Sequence, residues 1–337
     1  MTLRVGICGY GLAGRFFHAP LLKASGFEVA GVLTKNAERS SHAQADFPRA
    51  AVVGSMRELL FLGLDLLVVA SANVAHADQA IAGLQAGVPV VVDKPMGRTV
   101  YETEKIIAVS DETGIALTTY FNRLFDSDAL TVKKAISEGV LGDIFRLDSR
   151  FERFRPISNP KSWRETSSGA DGGGNLLDLG PHLVSLALDW FGPAEVCYAS
   201  VRSIRGLADD DIVINLKHQS GVDSYLSASS IIGADGPRIR LSGSNGSLVI
   251  QELDPQEQRL RAGEYPVGGV WDPPAITPAF IYRGDEVTQY PAEPGNYSIF
   301  YSQVKAAIMG EGSWPVTIDE ALAVAKILDD ARAISIR

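Results

Sequence analysis

Apolar residues in the first third of the chain come in short unbroken runs, with stretches of helical spacing between them. Leu3 to Cys8, Phe27 to Leu33, Leu64 to Ala70, Val88 to Val92 and Ile115 to Tyr120 are each apolar over most consecutive positions. Such runs fit strands of a parallel sheet covered on both faces. A helix carrying Phe16, Phe17, Leu21 and Leu22 follows the first run, with Pro20 as an irregularity. Ala75 to Ala86, stopped by Gly87, and Tyr101 to Glu112 read as two more helices. Strand and helix alternate throughout, which predicts an α/β domain with a doubly wound parallel sheet over residues 1–122.

The pattern then changes. After a helix over Asp128 to Glu138, the strands become short and turn-separated: Ile144 to Phe154, Ala194 to Ile204, Asp211 to His218, Val222 to Ile232, Arg238 to Gly243 and Ser247 to Leu253. Residues 123–337 therefore predict an α+β domain with a mostly antiparallel open sheet. Pro255 to Pro294, rich in Pro and Gly, reads as long loops, and Tyr297 to Met309 and Ile318 to Ala333 as closing helices. An antiparallel sheet with helices on one face leaves its other face in need of cover, so a homodimer or homotetramer through that sheet is expected.

Gly9-Tyr10-Gly11-Leu12-Ala13-Gly14 follows the first strand without a gap. In this context the first glycine makes a tight turn, the second lets backbone approach a pyrophosphate, and the third lets helix and strand pack closely, as in a Rossmann dinucleotide site. The helix start adds unpaired N–H groups that favour an anion. An NAD site places Asp or Glu about 20 residues after the glycines to bind the ribose hydroxyls. Here Thr34 and Lys35 end the second strand, with Arg39 just beyond. A hydroxyl and two cations suit the 2′-phosphate of NADP, so NADP(H) is the preferred cofactor and NAD(H) a possible one. Lys35 and Arg39 would otherwise be solvated surface charges.

Ligands of such sheets sit beyond the carboxyl ends of the strands. The polar groups found there are Ser71 and Asn73 with His76, the Asp93-Lys94-Pro95 tripeptide, and Tyr120 to Arg123 including Asn122. A second constellation lies in the other half, where Gly172-Gly173-Gly174 opens a helix bearing Asp178 and His182. Four residues apart on one helix, a carboxylate and an imidazole share a face and form the pairing a general base needs. Pro181 stands against a continuous helix, which must kink there or restart with the proline in its first turn. Asn175 and Asp178 also read as a capping pair, and His182 as a half-buried core residue.

Composition narrows the class. The 337 residues are 46 % hydrophobic, enough for two cores, and 31 basic against 40 acidic residues give a net charge of −9. No broad basic field exists for nucleic acid or an anionic membrane. Cys8 and Cys197, each within a strand, read as small buried hydrophobes, and no His or Cys spacing suggests a metal. No apolar run reaches the length of a membrane span, and no secretory signal is apparent, so a cytoplasmic enzyme is expected.

Taken together, Gly9-x-Gly11-x-x-Gly14, Asp93-Lys94-Pro95 and Gly172-Gly173-Gly174-x-x-x-Asp178-x-Gly180-x-His182 make the whole chain resemble the Gfo/Idh/MocA oxidoreductases. Within that family it looks like NADP-dependent scyllo-inositol dehydrogenase-like members, through His18-Ala19-Pro20, Asn122-Arg123, Phe154-Arg155-Pro156, Trp163-Arg164 and Leu253 to Glu257. The resemblance implies hydride transfer between a nicotinamide and a secondary alcohol of a cyclitol, sugar or polyol, with Lys94, Asp178 and His182 as catalytic residues. It adds Asn73, His76, Asn122, Trp163 and Arg164 as cofactor contacts, and Arg155 beside the catalytic three as a substrate contact. Asp93 stands where the family usually has Glu, and Ser185 where many members have Asp. Some relatives bind dinucleotide as sensors or transcriptional co-regulators, an alternative that loss of the lysine or histidine would favour; both are present.

Overall fold

The computed structural model describes residues 2–335. Its chain divides into two compact units, one of residues 1–120 with 256–273 and 296–322, the other of residues 121–255, 274–295 and 323–337. The change at Tyr120 lies two residues from the expected boundary, but two later segments return to the first unit.

The first unit is built on β1 (Arg4–Cys8), β2 (Glu28–Leu33), β3 (Ala51–Val53), β4 (Leu66–Val69), β5 (Val90–Asp93) and β6 (Leu117–Tyr120). They form one parallel sheet in the order β3-β2-β1-β4-β5-β6, so chain direction across the sheet reverses between β1 and β4. Leu66 to Val69 and Val90 to Val92 are wholly buried, as expected of strands covered on both faces. Local chemistry sets the helix limits. Thr99 accepts the backbone N–H of Glu102 at the start of the helix Val100–Thr113, and Gly114, at φ +66°, ends it.

One helix departs from expectation. After the glycine loop the chain winds as a π-helix over Ala13–His18 before an α-helix over Ala19–Ala24. Pro20 has no N–H, and in an α-helix its ring would clash with the carbonyl four residues back. Wider winding, in which Ala19 N–H donates to Gly14 O, precedes the proline and leaves Pro20 in the first turn of the new helix.

The second unit holds β7 (Ile144–Glu152), β8 (Ala194–Arg202), β9 (Asp211–His218), β10 (Asp223–Ser229), β11 (Ile239–Gly243), β12 (Gly246–Ile250), β13 (Ala279–Arg283) and β14 (Glu286–Tyr290). The order is β14-β13-β12-β11-β7-β10-β9-β8, antiparallel except for the β7–β10 pair. Alternate residues Leu147, Phe151, Leu226, Ile214, Leu241 and Leu248 are buried on one face, and the helix Gly180–Phe191 contacts β7 and β10. The opposite face is polar and aromatic. At its centre Asp148, 1 % exposed, accepts hydrogen bonds from Arg146, Arg150 and Arg240, while Tyr225 lies under the Arg146 guanidinium at 4.5 Å.

Two parts of the chain differ from what its pattern predicts. Residues 255–294 are not all loop: they contain the helix Gln256–Arg261 and the edge hairpin β13–β14. The hairpin is hard to read because Glu286 to Gln289 are all exposed, which erases the apolar alternation. Cys197 is exposed, not buried. The β8–β9 register shifts between Val196 and Tyr198, so Cys197 occupies a bulge on an edge strand. Cys8 is buried, and burial pushes its thiol up to about 12. Among the described residues no helix is long and apolar enough to cross a membrane, and no cluster of His, Cys, Asp and Glu is arranged to hold a metal.

Candidate active site

The glycine loop of the first unit lies where the sheet order reverses, the place at which open α/β sheets bind ligands. Gly9 has φ +89°, and a Cβ on it would stand 2.8 Å from Ala70 O at the end of β4. A Cβ on Gly14 would lie 2.1 Å from Gly9 O. Neither position accepts a side chain. Gly11 is different: the nearest atoms to a Cβ there are those of the Arg39 guanidinium, at 3.5–3.7 Å.

Arg39 reaches this place because the helix Ala37–Asp46 is started by Asn36, whose Oδ1 accepts Arg39 N–H at 2.9 Å. Thr34 and Lys35 sit at the end of β2, and Thr34 Oγ1 accepts the Asn36 N–H at 3.3 Å. Tyr10 is buried, with its hydroxyl donating to Asp46 at 3.0 Å; Arg15 Nε donates to the same carboxylate at 2.9 Å. Asp46 thus ties the loop to the helix that carries Arg39. Leu12 is half-buried and Ala13 buried, so these two offer the loop backbone rather than side-chain chemistry.

The other strand ends of this unit are joined through His76. Its Nδ1 lies 2.8 Å from Pro95 O and its Nε2 3.2 Å from Ser71 O, linking the exits of β4 and β5. Complete burial lowers its pKa, and a neutral ring has one N–H, which the shorter contact assigns to Nδ1. Ser71 Oγ donates to Gln79 at 2.7 Å, and Asn73 is 6 % exposed. Lys94 is half-buried; its backbone N–H donates to the Asp93 carboxylate at 2.8 Å, and the Lys94–Pro95 bond is cis.

In the second unit the glycine run is forced by contact. A Cβ on Gly173 would stand 2.2 Å from Ser167 O, and one on Gly174, at φ +92°, would overlap the Asp209 carboxylate. Asp209 Oδ1 accepts Leu176 N–H at 2.7 Å and Asn175 Nδ2 donates to Asp210 O at 2.8 Å, fixing the short helix Asn175–Asp178. The chain breaks at Leu179 and restarts as Gly180–Phe191 with Pro181 in its first turn. Asp178 and His182 therefore stand on two helices, one on each side of the break, and the shared-face argument for a single helix does not apply. Asp178 accepts Arg164 Nε at 3.1 Å, and that guanidinium stacks on Trp163 at 4.6 Å.

His182 is 6 % exposed and meets Phe151 edge-on, with ring centroids 6.2 Å apart. Phe151 in turn lies under two guanidiniums, Arg123 at 4.9 Å and Arg238 at 4.0 Å. Ser185 is buried and its hydroxyl donates to His182 O at 3.3 Å. Asn122 is 8 % exposed. Arg155 is exposed, and its carbonyl accepts from Arg205, which also pairs with Glu165 and Asp210 and so fastens the short helix Trp163–Thr166 that bears Trp163 and Arg164.

Asp209, Arg205 and Phe151 escape sequence reasoning. The run Asp209-Asp210-Asp211 looks like a solvated turn, yet each carboxylate has its own task. Burial lifts the Asp209 carboxyl from 3.8 to about 6. The folded protein then holds a proton that the unfolded chain has released, so stability falls as pH rises from about 4 to about 6. The loss above this window is on the order of 2–3 kcal/mol. Asp209→Asn is expected to abolish that part of the slope in urea unfolding at pH 4.5 and 7; an unchanged slope refutes it.

Residues 3–121 match the model of the oxidoreductase family with an NAD-binding Rossmann fold, and residues 129–249 that of the GFO/IDH/MocA C-terminal domain. The chain belongs to the Gfo/Idh/MocA oxidoreductase family. Among its relatives is scyllo-inositol 2-dehydrogenase (NADP(+)) IolW of Bacillus subtilis, 34 % identical, with 98 % of this chain and 93 % of the relative covered. The uncharacterized oxidoreductase YdgJ of Escherichia coli is 32 % identical over 97 % of this chain and 95 % of its own. The solved structure of the putative oxidoreductase yvaA from Bacillus subtilis superposes with a TM-score of 0.89 at 31 % identity, covering all of this chain and 96 % of that one. This family member is an NAD(P)-dependent dehydrogenase or reductase, as the names of its relatives and its matched nucleotide-binding domain agree.

Proposed function

We propose that the protein transfers hydride between NADP(H) and a secondary alcohol or carbonyl of a cyclitol, sugar or polyol. The observation that carries the cofactor reading is the Arg39 guanidinium lying over Gly11, where no acidic residue ends β2 to claim a ribose hydroxyl. Thr34, Lys35 and Arg39 would bind the 2′-phosphate, and the backbone from Gly9 to Gly14 the pyrophosphate. Ser71, Asn73, His76, Lys94, Asn122, Trp163 and Arg164 would complete the cofactor contacts, His76 through the strand ends it holds. The cofactor supplies the hydride chemistry when bound.

The protein's own part is to move and hold protons. In alcohol oxidation His182 would take the hydroxyl proton as general base, with Asp178 orienting it and favouring the positive charge. The Lys94 ammonium would stabilise the oxygen as carbonyl character develops. Arg155 would contact the outer part of the substrate. Support for a cyclitol is the similarity to an NADP-dependent scyllo-inositol 2-dehydrogenase over nearly the full length of both chains. Arg39→Ala is expected to weaken NADP+ at least tenfold while leaving NAD+ within about twofold, the loss of one charge-assisted phosphate contact. Equal losses for both cofactors, by kcat/KM with an inositol and sugar panel, would overturn the NADP reading.

We further infer self-association through the open face of the eight-stranded sheet, as a dimer or tetramer. Tyr198, Tyr225 and Tyr282 on that sheet are 52 %, 37 % and 37 % exposed, and the arginine-rich cluster around Asp148 lies among polar neighbours that a second copy would complete. Light scattering at micromolar concentration is expected to give a multiple of 36.1 kDa, reduced by Tyr225→Glu. A monomer removes this reading.

A further inference from the structure

Behind Lys94 the first unit buries a polar group that neither the glycine loop nor the proton-transfer residues use. His18, at the end of the π-helix, is 0 % exposed. Its Nδ1 lies 2.5 Å from the Tyr301 hydroxyl, and its Nε2 3.9 Å from Asp93 Oδ2. Tyr120 packs on the ring at 4.5 Å between centroids. Tyr301 comes from the helix Ser298–Ile308, part of the late segment that returns to this unit.

The protonation pattern follows from the surroundings. Burial, together with Tyr120 and the charge of Asp93, holds the Tyr301 phenol well above its usual pKa. The hydroxyl therefore keeps its proton and is placed to donate it to Nδ1, while Nε2 faces the Asp93 carboxylate across a gap too long for a direct hydrogen bond. Burial acts to raise the Asp93 carboxyl, yet the His18 imidazole and the Lys94 charge hold it below the usual carboxylate range. Asp93 Oδ1 then accepts the backbone N–H of Lys94 at 2.8 Å. A line of contacts runs from Tyr301 through His18 and Asp93 to the backbone of Lys94.

We propose that His18 is a positioning residue for hydride transfer: held by Tyr301, it orients the Asp93 carboxylate, which fixes the turn that aims the Lys94 ammonium. This rests on the role given to Lys94 above. It also accounts for a helix returning from late in the chain to place one phenol in the nucleotide unit, and for a buried imidazole facing the residue before the lysine. A misplacement of the order of 1 Å at a reacting group costs about a hundredfold in rate. His18→Leu, which removes both ring nitrogens, should lower kcat by about ten- to a hundredfold, because its effect passes through one intermediary.

The test uses the full chain and four variants, with kcat and KM from NADP+ reduction on an accepted polyol, NADPH affinity by fluorescence, and melting temperature. His18→Leu is expected to lose kcat with NADPH affinity within about twofold. His18→Gln, whose amide N–H is able to reach toward Asp93, is expected to recover most of the loss. Tyr301→Phe, which keeps the ring and removes the hydroxyl, is expected to fall between and decides the matter if His18→Leu does not fold. Wild-type kcat in every folded variant at His18 and Tyr301, or equal losses in Leu and Gln accompanied by lost NADPH affinity, overturns the proposal. Lys94→Met separates the two readings: if it is inactive while the His18 variants are normal, only the positioning role fails, and if it is fully active the role of Lys94 itself fails.

Discussion

Lys94→Met and His182→Asn are each expected to lower kcat by about two to four orders of magnitude, the usual contribution of a positioned acid, base or charge. NADPH affinity should stay close to that of the unaltered protein in His182→Asn and should fall far less than kcat in Lys94→Met, which gives up one of several cofactor contacts. The glycine loop and Arg39, which would hold the phosphates, are built from β1, β2, β4 and the helix after β2. His182 lies in the other unit, edge-on to Phe151, so its loss leaves the loop unaltered. Both variants shorten a side chain without adding bulk. Turnover within threefold of the unaltered protein in both, measured with saturating NADP+ and a polyol panel, would refute the assigned chemistry.

Arg238→Met should cost about 3–5 kcal/mol of stability, the range for breaking a buried ion pair on one side only. Arg238 Nε pairs with Asp128 Oδ2 at 3.2 Å, the two side chains being 2 % and 0 % exposed. The same guanidinium donates to Ser149 Oγ at 2.6 Å and lies over Phe151. Methionine fills much of the volume but leaves the buried Asp128 carboxylate without its cation. The double variant Asp128→Leu with Arg238→Met should be less destabilised than the sum of the two single changes, since neither charge is then left alone. Urea unfolding curves decide this. A loss below 1 kcal/mol in the single variant, or strict additivity, would show that the pair is better solvated than its burial implies.

Sequence patterning reaches a long way in the first unit because parallel strands covered on both faces are written as runs of apolar residues. All five expected strands lie there within a few residues of the observed ones, and only the three-residue β3 falls below the length at which such a run stands out. The glycine jobs are equally legible, since their requirement is steric and local: Gly9 and Gly14 exclude a Cβ by contacts with neighbouring backbone. The second unit is read less well where strands lie at an edge. There β14 has no apolar face to record, and β8 hides a bulge at Cys197.

What the sequence by itself determined is whatever acts over a few residues: the strand–loop–helix of the dinucleotide site, the missing acidic residue after β2, and the interruption, by kink or restart, that Pro181 imposes on its helix. Tertiary structure alone decided the rest. It brought Arg39 over Gly11, Arg164 to Asp178, Asp209 against Gly174 and Tyr301 to His18, pairs separated by 14 to 283 positions in the chain. The physical reason is that a periodicity records which side of an element is buried but not which distant side chain it meets. Arg164 with Asp178 and Tyr301 with His18 satisfy polar groups that the chain pattern leaves open, and only the folded backbone selects such partners.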